Sequence, residues 1–241
     1  MAQAPRTAAE MLAFSPPGWG SALLHGLGTS LEVAVAGYAI GLALGLFGAL
    51  GKLYGGPVAK DLLGIYTTLV RAIPELVLIV LLYYAGTDLL SRLFRWIGAG
   101  SIDVSGLLAG ILVIGVVQGA YATEVLRGAI LAIPRGQIEA ARAFGMSSFG
   151  VARRIIIPAM LPFAVPGLSN LWLIATKDTA LLAVVGFAEL TLVTRQAAGT
   201  TKAYLLFFSV AGVLYLGLTL LSSLALTLLD RRVRRWMPRL G

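Results

Sequence analysis

The sequence has no cysteine, one histidine and few charges, which make up 12% of its 241 residues. Without cysteine there are no disulfides and no thiolate metal sites. His25 has neither a second histidine nor a carboxylate at ligand spacing, so it is expected to play a structural role at the outer end of the first helix rather than hold a metal. No nucleophile–base pair stands out, and no catalytic residue is assigned. The pattern G-x-x-x-x-G-K-[ST] is missing too, so the chain has no phosphate-cradling loop of its own. The scarcity of charge excludes a soluble enzyme, because water-soluble domains average about 25% charged and about 45–50% apolar residues. What fills the chain instead is apolar: 58% of residues, with a mean hydropathy of +0.88. Bases outnumber acids by 19 to 11, a net charge of +8. On such an apolar chain that excess reads as a topology signal, and no nucleic-acid partner is expected.

Apolar runs fall at about 22–50, 62–86, 105–126, 160–182 and 203–229. Each is long enough to cross a hydrocarbon core about 30 Å thick. The expected fold is therefore an all-α integral membrane protein with about five transmembrane helices. Pro162 and Pro166 interrupt the start of the fourth run. Residues 7–14 are expected to form a short surface helix that Pro16 and Pro17 stop. No cleaved signal peptide is expected in the first 20 residues. Trp19, Trp96 and Trp236 fall near expected membrane boundaries, whereas Trp172 lies inside the fourth run, where packing is favoured over stacking on a solute.

Lys and Arg on alternate connections are unequal. Residues 51–61, 127–159 and 230–241 carry 12 of them, and the opposite connections carry 5. The bias puts the N-terminus outside and the C-terminus in the cytoplasm. Two bases, Arg71 and Lys177, and four acids, Glu32, Glu75, Glu124 and Asp178, remain inside the expected spans. A charge at mid-bilayer costs about 3 kcal/mol or more, so these residues should face protein or a wet cavity. Arg71 and Glu75 read as neighbours one turn apart on a single helix. They form either an internal ion pair or part of a polar pathway. Lys177 and Asp178 are adjacent, and Glu32 and Glu124 are suited to capping or pairing at helix ends. The excess of acids suits a cationic solute, with Glu75 the best candidate for its side chain and Arg71 and Asp178 for its carboxylate and amine. Gly37, Gly41, Gly45 and Gly48 lie on one face of the first helix, where another helix can pack closely.

The connection at 127–159 is not loop-like. Pro134 can start a helix, QIEAARAF is rich in helix formers, and Gly145 marks a stop. Phe149, Val151 and Ile155–Ile157 restore an apolar surface before Pro158. The spacing fits a docking element, with Ala140, Ala141 and Gly145 allowing close approach by a partner, and equally an amphipathic connector on the membrane surface.

The run Glu139-Ala140-Ala141, three residues, Gly145, nine residues, Ile155, one residue, Ile157-Pro158 resembles the EAA signature of permease subunits of bacterial ABC importers. Ile157 stands where that pattern has Leu. The segments Thr29–Leu53, Tyr66–Gly86, Gly119–Ala141 and Leu161–Leu182 resemble the polar-amino-acid branch, in particular the subunits that serve histidine, lysine, arginine and ornithine, or opines. Ala72 replaces a Gly of the second-helix motif. The likeness runs from about residue 20 to residue 235, and residues 1–20 do not match.

The resemblance implies a type I ABC importer transmembrane domain at 21–241, preceded by an extracytoplasmic segment at 1–20 and containing a coupling segment at 134–158. It further implies that Glu139, Ala140, Ala141 and Gly145 couple the chain to a cytoplasmic ATPase, present in two copies. ATP and Mg²⁺ would bind there, and this chain would hold no cofactor. The other implied partners are a second permease subunit, as a heterodimer, an extracytoplasmic binding protein and an amino acid substrate. Closure of the ATPases would draw two coupling helices together and tilt the spans. Rival readings are an ATP-independent carrier working as a homodimer and a plain membrane anchor.

Overall fold

The computed structural model describes residues 7–96 and 105–234, the side chains at 90, 93 and 94 excepted. Every regular element among them is helical. In chain order these are α1 (Ala8–Met11), α2 (Gly20–Tyr54), α3 (Pro57–Ala72), α4 (Glu75–Trp96), α5 (Gly106–Leu131), α6 (Arg135–Ala143), α7 (Ser148–Val151), α8 (Ile157–Asp178), α9 (Leu190–Thr201) and α10 (Tyr204–Arg234). A π-turn, Ala152–Ile156, leads into α8, and a 3-10 turn, Thr179–Val185, leaves it. Trp236 lies outside the described residues.

Among the described residues, four stretches are long and apolar enough to cross a membrane: Gly20–Tyr54, Gly106–Leu131, Ser148–Val185 and Tyr204–Arg234. A fifth is counted if the bent pair Pro57–Ala72 and Glu75–Leu89 forms one span. The second run is thus not the single helix expected over 62–86. The chain bends by 119° between α3 and α4, and Ile73 is extended at φ −87°, ψ 137°. Pro74 explains the break: its ring disfavours a helical conformation in the residue before it, and it has no N–H to donate. Arg71 and Glu75 are therefore not one turn apart on a continuous helix face. The fourth run corrects in the opposite sense. Pro162 and Pro166 do not interrupt it but lie inside α8. The helical stretch begins upstream, at Ser148, and passes through the π-turn, where the Ile157 N–H donates to the Ala152 carbonyl, just before Pro158.

The chain divides into two compact units. One holds the segments up to Gly37, Glu75–Ile114 and Ala175–Leu220. In it Leu23, Leu190, Ala197, Ala198, Phe207 and Ala211 form a buried cluster, with Met11, Leu12 and Trp19 packed on it. The expected surface helix before Pro16 is α1. It is held by a capping box between Thr7 and Glu10, and the Trp19 N–H donates to the Met11 carbonyl at 2.8 Å. The other unit holds Tyr38–Pro74, Gly115–Ile174 and the segment from Leu221. Its cluster is Ala49, Leu126, Ala129, Ile130, Ile133, Met160 and Ala164.

The glycine face of α2 is where α5 packs. A methyl on Gly37 would overlap Ile114, and one on Gly41, Gly45 or Gly48 would overlap Gln118, Ala122 or Thr123. The expected close-packing stripe is present, and its partner is a helix of the same chain.

Candidate functional site

Pro134 precedes α6, whose nine residues split into an inward and an outward face. Ile138 packs on the Ala49–Met160 cluster, and Ala141 is buried at 5% exposure. Glu139, Ala140, Arg142 and Phe144 are exposed. The helix ends in a Schellman motif: the Gly145 N–H donates to the Arg142 carbonyl at 2.9 Å and the Met146 N–H to the Ala141 carbonyl at 3.1 Å. Gly145 adopts φ +75°, the left-handed conformation that costs an L-residue with a side chain about 1–2 kcal/mol. The four signature residues therefore do different things. Glu139 and Ala140 face outward, Gly145 closes the helix, and Ala141 faces the chain's own interior. The small side chain of Ala141 lets α6 sit close to its own chain.

The ionisable residues assigned to the spans separate in the same way. In the Tyr38–Pro74 unit, Lys52 Nζ lies 2.5 Å from Glu124 Oε1 and donates to Thr67 Oγ1 at 2.8 Å. Arg127 donates to Glu124 Oε2 through Nη2 at 2.8 Å and Nε at 3.0 Å. Glu124, about two turns inside the end of α5, is thus matched by two bases, and it leaves the tally of acids open to a cationic solute. Arg71, in the last turn of α3, is exposed, with its guanidinium carbon 6.0 Å from the Tyr121 ring centroid, the outer limit of a cation–π contact. Trp172 meets Tyr38 edge-on at 5.4 Å, so it packs within the protein. Tyr38 also donates to the Leu168 carbonyl at 2.7 Å.

Glu75 and Asp178 belong to the other unit. Glu75 opens α4 and is half-buried, as suits an acid at the positive end of a helix. Asp178 is buried, whereas its neighbour Lys177 is exposed, so the two face different surroundings. Glu32 is exposed on α2. His25 is exposed as well, and its carbonyl accepts from Thr29 Oγ1 at 3.1 Å.

The buried carboxyl that sequence reasoning missed is Glu189, with 0% exposure. It caps α9, accepting from the Leu192 N–H at 2.9 Å, from Tyr215 Oη at 2.9 Å and from Ser30 Oγ at 3.2 Å. Ser30 Oγ in turn accepts from the Leu190 N–H at 3.2 Å. One carboxyl thereby joins α2, α9 and α10. The signal was available in Glu189 followed by Leu190 and Leu192 on a short helical pattern, but residues 183–202 read as an outer connection.

A family described as the binding-protein-dependent transport system inner membrane component matches residues 41–235. The chain belongs to this family of permeases. It is 37% identical over 231 residues to the octopine transport system permease protein OccQ of Rhizobium radiobacter, covering 95% of this chain and 98% of that one. It is 38% identical over 215 residues to the histidine/lysine/arginine/ornithine transport system permease protein HisQ of Escherichia coli (strain K12), covering 89% and 94%. A solved structure of an amino acid ABC transporter with histidines superposes with a TM-score of 0.75 at 28% identity, covering 89% of this chain and 95% of that one. The permease is thus an inner membrane subunit of an ABC importer. The α6 signature lies within the matched residues, and so do the glycine stripe from Gly41 onward and the Glu189 cap.

Proposed function

We propose that this permease forms half of the translocation pathway of an ATP-driven importer for basic amino acids or opines, and that it pairs with a second, homologous permease subunit. The exposed face of α6, with Glu139 and Ala140, docks on one of two cytoplasmic ATPases. Ala141 and Gly145 hold that face in place. ATP and Mg²⁺ bind on the ATPases, and solute arrives from an extracytoplasmic binding protein. The N-terminus lies outside and the C-terminus in the cytoplasm, in keeping with the Lys and Arg bias. In the pathway, Glu75 meets the cationic side chain, and Arg71 and Asp178 meet the carboxylate and amine of the solute.

One observation carries the coupling assignment: a nine-residue helix, fixed on one side by Ala141 and at its end by the Gly145 turn, presents Glu139 and Ala140 outward with no cover from its own chain. The names of the octopine and histidine/lysine/arginine/ornithine relatives support the solute class. Affinity purification in mild detergent tests the assembly. An ATPase and a second permease are expected to co-purify, and uptake of arginine, histidine and octopine in vesicles containing them is expected to require ATP. Uptake driven by an ion gradient alone, from the purified chain without an ATPase, would overturn the proposal. Glu75→Gln is expected to depress arginine uptake at least tenfold, and unchanged uptake would remove Glu75 from the pathway.

A further inference from the structure

One amide of α8, that of Asn170, has no place in the packing of its own chain. Within the helical stretch Ser148–Val185, the residues between Arg154 and Lys177 form the one charge-free run long enough to cross a bilayer. A crossing takes about 20 residues. However that span is set within 155–176, Asn170 lies about 6–9 Å inside its nearer end at about 1.5 Å per residue. Met160, Ala164 and Leu171 are buried, whereas Phe163, Pro166 and Asn170, three and four residues apart, share an exposed face of the helix. Hydroxyls elsewhere in the spans bond back to their own helix: Thr123 Oγ1 donates to the Gly119 carbonyl at 2.8 Å and Thr227 Oγ1 to the Ser223 carbonyl at 2.7 Å. The Asn170 side chain makes no hydrogen bond among the described residues.

An amide carries two donors and an acceptor oxygen, and leaving them bare against acyl chains is costly. Pro166, one turn earlier on the same face, has no N–H to give the Pro162 carbonyl. Helices short of a backbone donor at membrane depth are tolerated where they border polar cavities. The nearest charge along α8 is basic, since Lys177 is exposed whereas Asp178 is buried. That sign favours the anionic end of a solute on this face.

We propose that Asn170 faces the solute pathway and donates from Nδ2 to the carboxylate of the passing amino acid, the group that Arg71 also meets. Asn170 and Arg71 belong to the same compact unit. The contact deepens the reading of the chain as an importer of basic amino acids or opines, and rests on it.

The detergent-purified assembly, without its binding protein, can be titrated with arginine and with argininamide, whose carboxylate is blocked. The unaltered assembly is expected to bind arginine more tightly. Asn170→Leu should weaken arginine about tenfold, the worth of a hydrogen bond to a charged group, and argininamide less than about twofold. Asn170→Asp sets a like charge against the carboxylate and should weaken arginine further, while Asn170→Gln should keep most of the binding. The aspartate variant is nearly isosteric and keeps the test open if the leucine variant does not fold. Equal losses for the two ligands, or no loss for either, would overturn the contact. So would disappearance of the co-purifying second permease, since the amide would then belong to the joint between subunits. If the unaltered assembly binds none of arginine, histidine and octopine, the solute class fails and takes the contact with it. That outcome is distinct from normal binding that changes at Asn170 leave untouched, which removes the contact alone.

Discussion

The permease carries two short helices of opposite design. The nine residues of α6 leave the signature acid Glu139 in the open, and the twelve of α9 bury theirs, Glu189, completely. In α6 the fixed points are backbone: a left-handed glycine and two N–H to carbonyl bonds at the C-terminus. In α9 the fixed point is a side chain at the N-terminus that also ties in Ser30 and Tyr215. The exposed helix leaves its acid in the open and takes its shape from the backbone. An element that must hold three helices together spends its polar group inside.

The largest expected effect tests the buried half of this contrast. Glu189→Ala removes three hydrogen bonds, the α9 cap among them, from a fully buried site, and is expected to lower stability by about 3 kcal/mol, read as an earlier midpoint in SDS-titrated unfolding. Glu189→Gln should recover part of the loss. An unchanged midpoint in Glu189→Ala would mean that α9 is held by its apolar contacts alone. Next comes Ala141→Leu, which forces extra methylenes into the buried side of α6. About 1–3 kcal/mol of overpacking is expected, and a neutral result would show that α6 is not anchored there. Gly145→Ala should cost about 1 kcal/mol from the left-handed backbone, with a matching loss of solute-stimulated ATPase activity in the assembled importer. At the small end, Glu139→Gln should change stability by less than about 0.5 kcal/mol, as for ordinary surface positions. Its effect should instead appear as lost ATPase stimulation, and a variant that stays stable and fully stimulated would break the assignment of α6 as the exposed, working member of the pair.

What the sequence made legible follows the same line. Glu139, Ala140, Ala141 and Gly145 stood out because they recur at fixed spacing, and the spans at α2, α5 and α10 stood out because long apolar runs need no tertiary context. Pro74 was misjudged, since hydropathy is blind to direction: residues 62–86 are apolar on both sides of a 119° bend. The cue was local, an Ile before a proline followed by an acid suited to a helix start. Pro162 and Pro166 misled in reverse, because neighbouring turns can absorb the missing donors in a span. α9 was invisible because its buried Leu190, Leu192, Thr194, Ala197 and Ala198 are too few and too mixed to form a run. Glu189 followed it, since a carboxyl looks like a solvated loop residue until Ser30 and Tyr215, 159 and 26 positions away, are seen around it.

The glycine stripe of α2 bears on how that helix is kept in register. Ile114, Gln118, Ala122 and Thr123 of α5 sit in that groove like teeth, so it sets both how near the two rods come and where they stop. At one end a polar crosspiece is added, where the Lys52 ammonium grips both Glu124 and Thr67. That crosspiece acts as a pin at the end of a toothed joint.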